Sequence, residues 1–380
     1  MLIEIRKAGF VNKGAELMLY AALEKMREAY PEAQFCMAPS ANNGAAPFAK
    51  RVELGLLQKA WMWRYCFQWG DLAMLSPQKI REMYGIVLDK EIDIVLDAAG
   101  FAYSDQWGDR SCQELARSCK RWKKNDTKII LLPQAFGPFT SPKIKKAIKA
   151  VVDNADLIFA REPVSYKHLT GVVGARANIK IAPDFTNLLK GVLPSNFDVE
   201  KNRFCIVPNY RMIDKTSKDQ SNAYLPFMIK CVQYLLEKDQ KPFVLIHEGS
   251  NDLMLAQKIS EAVGGNLPVV LENNPLKIKG ILGACEGTIG SRFHGLVSAL
   301  SQSVPALATG WSHKYKMLFE YYGFSEGLLD VMMSDEEIHK KIDLITNRAS
   351  KQEIQATIYA KSDGLKKLSE QMWADVFKSI

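Results

Sequence analysis

Short β-branched runs alternate with amphipathic stretches along most of the 380 residues. Met1-Leu2-Ile3-Glu4-Ile5-Arg6 reads as a first strand that runs into a loop over residues 9–14. Leu19, Leu23 and Met26 then recur at helical spacing. Asp93-Ile94-Val95-Leu96-Asp97, Lys128-Ile129-Ile130-Leu131-Leu132 and Ala155-Asp156-Leu157-Ile158-Phe159-Ala160 are nearly unbroken apolar runs. Such runs mark parallel strands buried on both faces, and the helical stretches between them suit βαβ crossovers.

The pattern weakens around Leu193-Pro194-Ser195-Asn196-Phe197-Asp198, which predicts a domain boundary. A second series of strands follows at Arg203-Phe204-Cys205-Ile206-Val207, Pro242-Phe243-Val244-Leu245-Ile246, Leu267-Pro268-Val269-Val270, Gly287-Thr288-Ile289-Gly290 and Val304-Pro305-Ala306-Leu307. Residues 223–237, 253–263 and 275–283 read as its helices. The last thirty residues read as helix, with Leu365, Leu368, Met372 and Phe377 on one apolar stripe and Gly364 as an interruption. The expected class is α/β, with two Rossmann-like, doubly wound domains at 1–195 and 196–345. They are expected to face a central cleft, with a helix over 346–380 crossing back toward the first. Trp61, Trp63, Tyr65, Phe67 and Trp69 alternate strictly, as in a strand or a hairpin; plain packing and sugar stacking are both open to them.

Composition narrows the function classes. Hydrophobic residues make up 47% and charged residues 24%, as in a globular chain rather than a disordered one. No stretch approaches the roughly 20 apolar residues of a membrane span, and the charged N-terminus lacks the layout of a signal peptide. The seven cysteines are widely scattered without a CxxC pair, which argues against a disulfide framework or a zinc site and fits reduced thiols in the cytoplasm. The net charge is +8. Its clusters, Lys120-Arg121-Trp122-Lys123-Lys124 and Lys143-Ile144-Lys145-Lys146, fall on expected helices, where they read as solvated faces. The surplus suits an anionic substrate or peripheral contact with an anionic membrane. No nucleic-acid-binding signature is present.

Candidate chemistry gathers where strands end. Gly290-Ser291-Arg292-Phe293-His294-Gly295 is a strand-to-helix turn, a place where unpaired N–H groups attract anions. It adds a guanidinium, an imidazole and a hydroxyl. Arg292 can grip a carboxylate or phosphate bidentately, and His294 titrates near neutrality, as a general acid must. The two lie two residues apart, so they share a side only if Arg292 stands outside regular helix. Other polar strand ends are Asn12-Lys13-Gly14, Asp97-Ala98-Ala99-Gly100, Gln134 with Gly137-Pro138, Arg161-Glu162, Pro183-Asp184, His247-Glu248 and Ser312-His313-Lys314. Asp97 reads equally as a cap or as an acid that activates a hydroxyl. Asp252 reads as an N-cap, and Arg161 as a partner of Glu162 or an anion ligand.

These stretches together resemble the polysaccharide pyruvyl transferase family. The resemblance rests on the Asn-x-Gly start of the first helix, Asp97 to Gly100, Pro133-Gln134-x-x-Gly137-Pro138-Phe139, Ala160-Arg161-Glu162-x-x-Ser165 and Ser291-Arg292-Phe293-His294. Pro183-Asp184 and Lys314, nine residues before Gly323, also match. The resemblance implies a GT-B-like fold, phosphoenolpyruvate as donor, a sugar hydroxyl pair as acceptor and a pyruvate ketal as product, with neither metal nor cofactor. It assigns catalysis to His294 and Arg292, with Asp97 a further candidate. Donor contacts fall to Arg161, Arg292, Ser291, Gly295, His247 and Lys314 on a donor-side second domain. Acceptor contacts fall to Asn12, Lys13, Gly100 and Gln134 on the first. The acceptor is a sugar of a cell-surface polysaccharide or its precursor, in lipid-linked form in one version of this reading. Two other readings stand beside it. One is a glycosyltransferase whose Glu248 grips a nucleotide ribose. The other is a binding protein that has kept the fold without the activity.

Overall fold

The computed structural model describes residues 1–40, 46–64 and 67–380, with Trp63 and Arg64 described in their backbone alone. Tyr65 and Cys66 of the aromatic run therefore lie outside the described residues. The chain divides into two compact units, Met1–Val11 with Met18–Phe185 and Leu368–Ile380, and Asn12–Leu17 with Thr186–Lys367.

The first unit is built on an eight-stranded sheet, parallel throughout. From Leu2–Arg6 the chain winds outward through Gln34–Met37 and Leu56–Lys59 to an edge strand, Ile86–Val87. It then returns to pair Ile94–Asp97 with the other side of Leu2–Arg6, and continues through Lys128–Gln134, Leu157–Ala160 and Ile179–Ile181. The unbroken apolar run Ile94–Asp97 is buried at every position, as its composition requires. Helices Asp109–Lys124 and Pro142–Asn154 cover the sheet with Leu115, Cys119, Trp122, Ile144, Ile148 and Val151. The aromatic run forms an antiparallel hairpin, Trp63–Arg64 with Phe67–Gln68, that leads into a 3-10 turn over Trp69–Leu75.

The second unit carries five parallel strands in the spatial order Val269–Leu271, Pro242–Ile246, Phe204–Val207, Gly287–Gly290, Ala306–Ala308. The winding reverses between Phe204–Val207 and Gly287–Gly290, which brings the ends of those two strands side by side. In open α/β sheets this reversal, at the strands' carboxyl ends, is where ligands bind. The core is continuous from Phe204 and Ile206 through Phe227, Val244, Ile289 and Leu296.

Two expectations about helices need correction. Gly249–Ala262 starts four residues before the expected 253, so Asp252 sits in its first turn and is not its N-cap. Arg348–Ser379 runs unbroken through Gly364. Its buried stripe is Leu365, Met372, Trp373 and Val376, and Leu368 points outward, 56% exposed. Trp373 packs edge-on against Phe185 at 5.9 Å within the first unit. The six described cysteines are free and buried.

Candidate active site

Arg292 follows strand Gly287–Gly290 with extended dihedrals (φ −99°, ψ 115°), and regular helix begins at Phe293. The condition for Arg292 and His294 to serve one ligand, that Arg292 stand outside the helix, is met. What the sequence did not anticipate is how much already holds the guanidinium. Its Nε donates to Asp252 Oδ2 at 2.9 Å and its Nη2 to Asp252 Oδ1 at 2.6 Å, while its Nη1 donates to Glu248 Oε2. Burial works against the charge on Arg292, but Asp252 and Glu248 outweigh it and raise its pKa. Burial pushes the Asp252 carboxyl up, and the two-pronged bond from Arg292 opposes that push. Asp252 Oδ1 also accepts from the Tyr210 N–H at 3.1 Å, which ties the pair to the end of the neighbouring strand.

Glu248 and Asp252 were missed as Arg292's partners. The sequence places both at the start of helix Gly249–Ala262, but no local pattern pairs either with Arg292.

Ser291 serves the architecture of this turn. Its hydroxyl meets Tyr224 Oη at 2.9 Å and Thr309 Oγ1 at 2.6 Å. Its carbonyl accepts from Asn209 Nδ2 at 2.5 Å and Tyr315 Oη at 2.8 Å. Four bonds to one residue fix where the next one, Arg292, emerges. Gly295 follows on the helix; a Cβ there would lie 3.6 Å from both Arg292 Cβ and His247 Cδ2. His247, at the end of strand Pro242–Ile246, is thus a close neighbour of the turn. Its pKa lies well below the usual imidazole value because it is buried, with Arg292, His294 and Lys13 adding repulsion. Its Nδ1 has no hydrogen-bond partner among the described residues.

The start of the first helix belongs to this site too. Asn12 Oδ1 accepts from the Gly14 and Ala15 N–H groups at 2.9 and 3.2 Å, and its Nδ2 donates to Glu248 Oε2 at 3.2 Å. A Cβ on Gly14 would fall 2.2 Å from His294 Nδ1, so the imidazole lies directly against this glycine. Lys13 pairs with Glu16 at 2.6 Å. Lys314 Nζ sits over the rings of Trp311 at 4.6 Å, Phe293 at 5.2 Å and Tyr315 at 5.5 Å, a cation–π arrangement. Asn12, Lys13, Ser291, Arg292, His294, Gly295, His247 and Lys314 all belong to the second unit.

Asp97, Gly100, Gln134 and Arg161 belong to the first unit. Asp97 ends its strand in register with Arg6; its carboxylate accepts from Tyr103 Oη at 2.7 Å and Gln134 Nε2 at 3.3 Å and forms an ion pair with Arg6, whose Nε lies 3.1 Å away. The Gly100 carbonyl accepts from the Ala135 N–H at 3.1 Å. Arg161 pairs with Asp184 at 3.1 Å, and Glu162 caps helix Pro163–Val173 through the Val164 N–H at 2.7 Å. Among the described residues no group of three or more His, Cys, Asp or Glu is arranged to hold a metal.

The comparisons with known proteins accord with this architecture. HepE of Anabaena in complex with UDP-glucose superposes with a TM-score of 0.57 at 12% identity, covering 100% of this chain and 99% of that one. UDP-GlcNAc 2-epimerase from Neisseria meningitidis bound to UDP-GlcNAc gives a TM-score of 0.60 at 7% identity, covering 99% of both chains. MnaA of S. aureus with UDP gives 0.60 at 12%, covering 98% of this chain and 94% of that one. The fold is thus that of the GT-B class, with two parallel-sheet α/β units. Within it, the family model for polysaccharide pyruvyl transferase matches residues 12–313, and the chain belongs to that family.

Proposed function

We propose that this transferase moves the pyruvyl group of phosphoenolpyruvate onto two hydroxyls of one sugar in a cell-surface polysaccharide or its precursor, releasing phosphate. The observation that carries the reading is Arg292 at the sheet reversal, held outside the helix that bears His294. Three of the five guanidinium N–H groups are engaged by Asp252 and Glu248, which leaves two to face a donor oxyanion. Asp252 and Glu248 thus aim the fork rather than consume it.

In the proposed sequence His294 protonates the donor methylene, forming the methyl C–H bond and leaving C2 electrophilic. One sugar hydroxyl adds to C2 and passes its proton to the neutral imidazole of His294, which restores the acid. The C2–O bond to phosphate breaks, and the second hydroxyl closes the ketal as its proton leaves with phosphate. The second unit takes the donor role in this reading. The reaction is cytoplasmic, with a lipid-linked acceptor and peripheral contact with an anionic membrane as its setting.

Nucleotide-sugar transfer is the competing reading, because the similar HepE structure holds UDP-glucose. Glu248, which that reading needs for the ribose, bonds Arg292 and Asn12 instead.

Phosphate release from phosphoenolpyruvate across a panel of glycans tests the proposal. His294→Ala is expected to lower turnover by roughly a hundredfold or more with donor binding retained. Arg292→Lys, which loses the planar fork, is expected to weaken donor binding. Full turnover in His294→Ala removes the general acid. Thermal stabilisation by UDP-glucose but not by phosphoenolpyruvate favours the competitor.

A further inference from the structure

The winding of the first sheet also reverses, between Leu2–Arg6 and Ile94–Asp97, whose last residues Arg6 and Asp97 stand in register. A cavity of about 250 Å³ lies beside that reversal. Its lining includes Arg6, Met37 and Lys59, the last residues of strands Leu2–Arg6, Gln34–Met37 and Leu56–Lys59. The carboxyl ends of strands next to a reversal are where open α/β sheets take ligands, and the donor chemistry proposed for the second unit does not use this place. The polar groups of the cavity are held firmly. Lys59 Nζ donates to Glu4 Oε2 at 2.6 Å, with both side chains almost wholly buried. The Trp122 ring packs against Lys59 at 5.3 Å and against Arg6 at 5.0 Å. Arg6 pairs with Asp97 through Nε at 3.1 Å and donates from Nη2 to Glu114 Oε2 at 2.6 Å.

We infer that this cavity binds one ring of an uncharged sugar, with Trp61 against its C–H face and Arg6, Lys7 and Glu114 on its hydroxyls. Three observations choose that occupant. Each cation of the lining is already within 3.3 Å of a carboxylate, Arg6 and Lys7 of Glu114 and Lys59 of Glu4. Glu114 and Lys7 nevertheless keep 21% and 32% of their side chains exposed, so an acceptor-only group and a donor-only group stand together. A hydroxyl both gives and accepts and satisfies the two at once, whereas a phosphate or carboxylate would meet the Glu114 charge. The rest of the lining is apolar, with Met37, Pro39 and the half-buried ring of Trp61. Such side chains suit the C–H face of a sugar, and they settle one member of the aromatic run in favour of a ligand surface. The volume lies below the roughly 300–1,000 Å³ of sites for larger ligands, which fits a single ring.

That the bound ring is the sugar to be pyruvylated rests on the transferase reading. That the cavity takes an uncharged sugar does not.

The test is saturation-transfer NMR on the full chain with the methyl glycosides of glucose, galactose, mannose and N-acetylglucosamine at millimolar concentration. It contains no phosphoenolpyruvate and reads no turnover, so it can fail without touching the transferase reading. At least one glycoside is expected to receive saturation at its ring protons. Trp61→Ala, whose thermal melt should stay close to the parent's because the ring is only half-buried, is expected to bind that glycoside roughly tenfold less tightly. Lys7→Gln, which changes a more exposed side chain, should weaken it several-fold. His294→Ala, altered in the other unit, should bind the glycoside as the parent does even where its turnover is lost. Absence of saturation in all four glycosides overturns the proposal, and so does equal binding by Trp61→Ala. Displacement of the glycoside by inorganic phosphate would show an anion site, and displacement by uridine a nucleoside site. Either result also overturns it.

Discussion

Arg292 shows how a buried charge can be made a tool. Its guanidinium is held by a bidentate carboxylate below it and a second carboxylate beside it, and this fixes its plane before any ligand arrives. Removing one partner of such a buried pair typically costs about 3–5 kcal/mol, so Asp252 belongs to the stability of the unit as much as to its chemistry. His247, close by, has the opposite character. It is buried, and burial, followed by the charges of Arg292, His294 and Lys13, holds it neutral. In the unfolded chain an imidazole titrates near pH 6.5. Below that pH the unfolded state gains a proton that the folded state refuses, so His247 lowers stability as pH falls from about 6.5 toward its folded pKa. Above about pH 6.5 it has no effect. At pH 5.5 the loss should be about 1 kcal/mol relative to pH 7.5. Urea unfolding of the parent and of His247→Gln at both pH values measures it. An equal loss in both proteins would show that another group is responsible.

Elements explain why some of the site was legible in the chain and some was not. Strands buried on both faces appear as unbroken apolar runs, which is why Ile94–Asp97, Lys128–Gln134, Phe204–Val207 and Pro242–Ile246 can be found by eye. Gln34–Met37, Leu56–Lys59, Ile86–Val87 and Ile179–Ile181 escape because they are short, and their composition is mixed or their faces partly wet. The turn before Phe293–Leu300 is legible from its own residues. Its partners are not, because Asp252 reaches Arg292 across 40 residues of sequence and no local rule pairs them. Gly14 illustrates the same limit. Alone it reads as a helix start, yet its missing side chain is the space that His294 occupies. Gly14→Ala should therefore displace the imidazole and cut turnover by roughly tenfold or more, while alanine's better helix propensity limits the stability cost. Steady-state kinetics beside a thermal melt separates the two effects. Unchanged turnover would mean the imidazole can shift freely.

At the scale of the molecule, each unit has its own core, one around Phe204 and Phe227, the other around Val95, Trp122 and Ile129. Chains with two cores need not unfold in one step. Every residue of the Arg292 site lies in the second unit. Phosphoenolpyruvate at a hundredfold over its Kd should stabilise that unit by about 2.7 kcal/mol, visible in calorimetry as one transition moving up while the other stays. Equal movement of both would place donor contacts in both units. The second unit also takes Asn12–Leu17 from the start of the chain. Synthesis gives that membership a direction in time. Gly14 leaves the ribosome about 280 residues before His294, which at roughly 5–20 residues per second is a wait of tens of seconds. During that wait the first helix must hold its opening turn without the imidazole it is shaped to receive. The turn that carries Arg292 and His294 is therefore among the last things a newborn chain completes, and a nascent chain stalled before residue 290 would have a finished first sheet and no such turn.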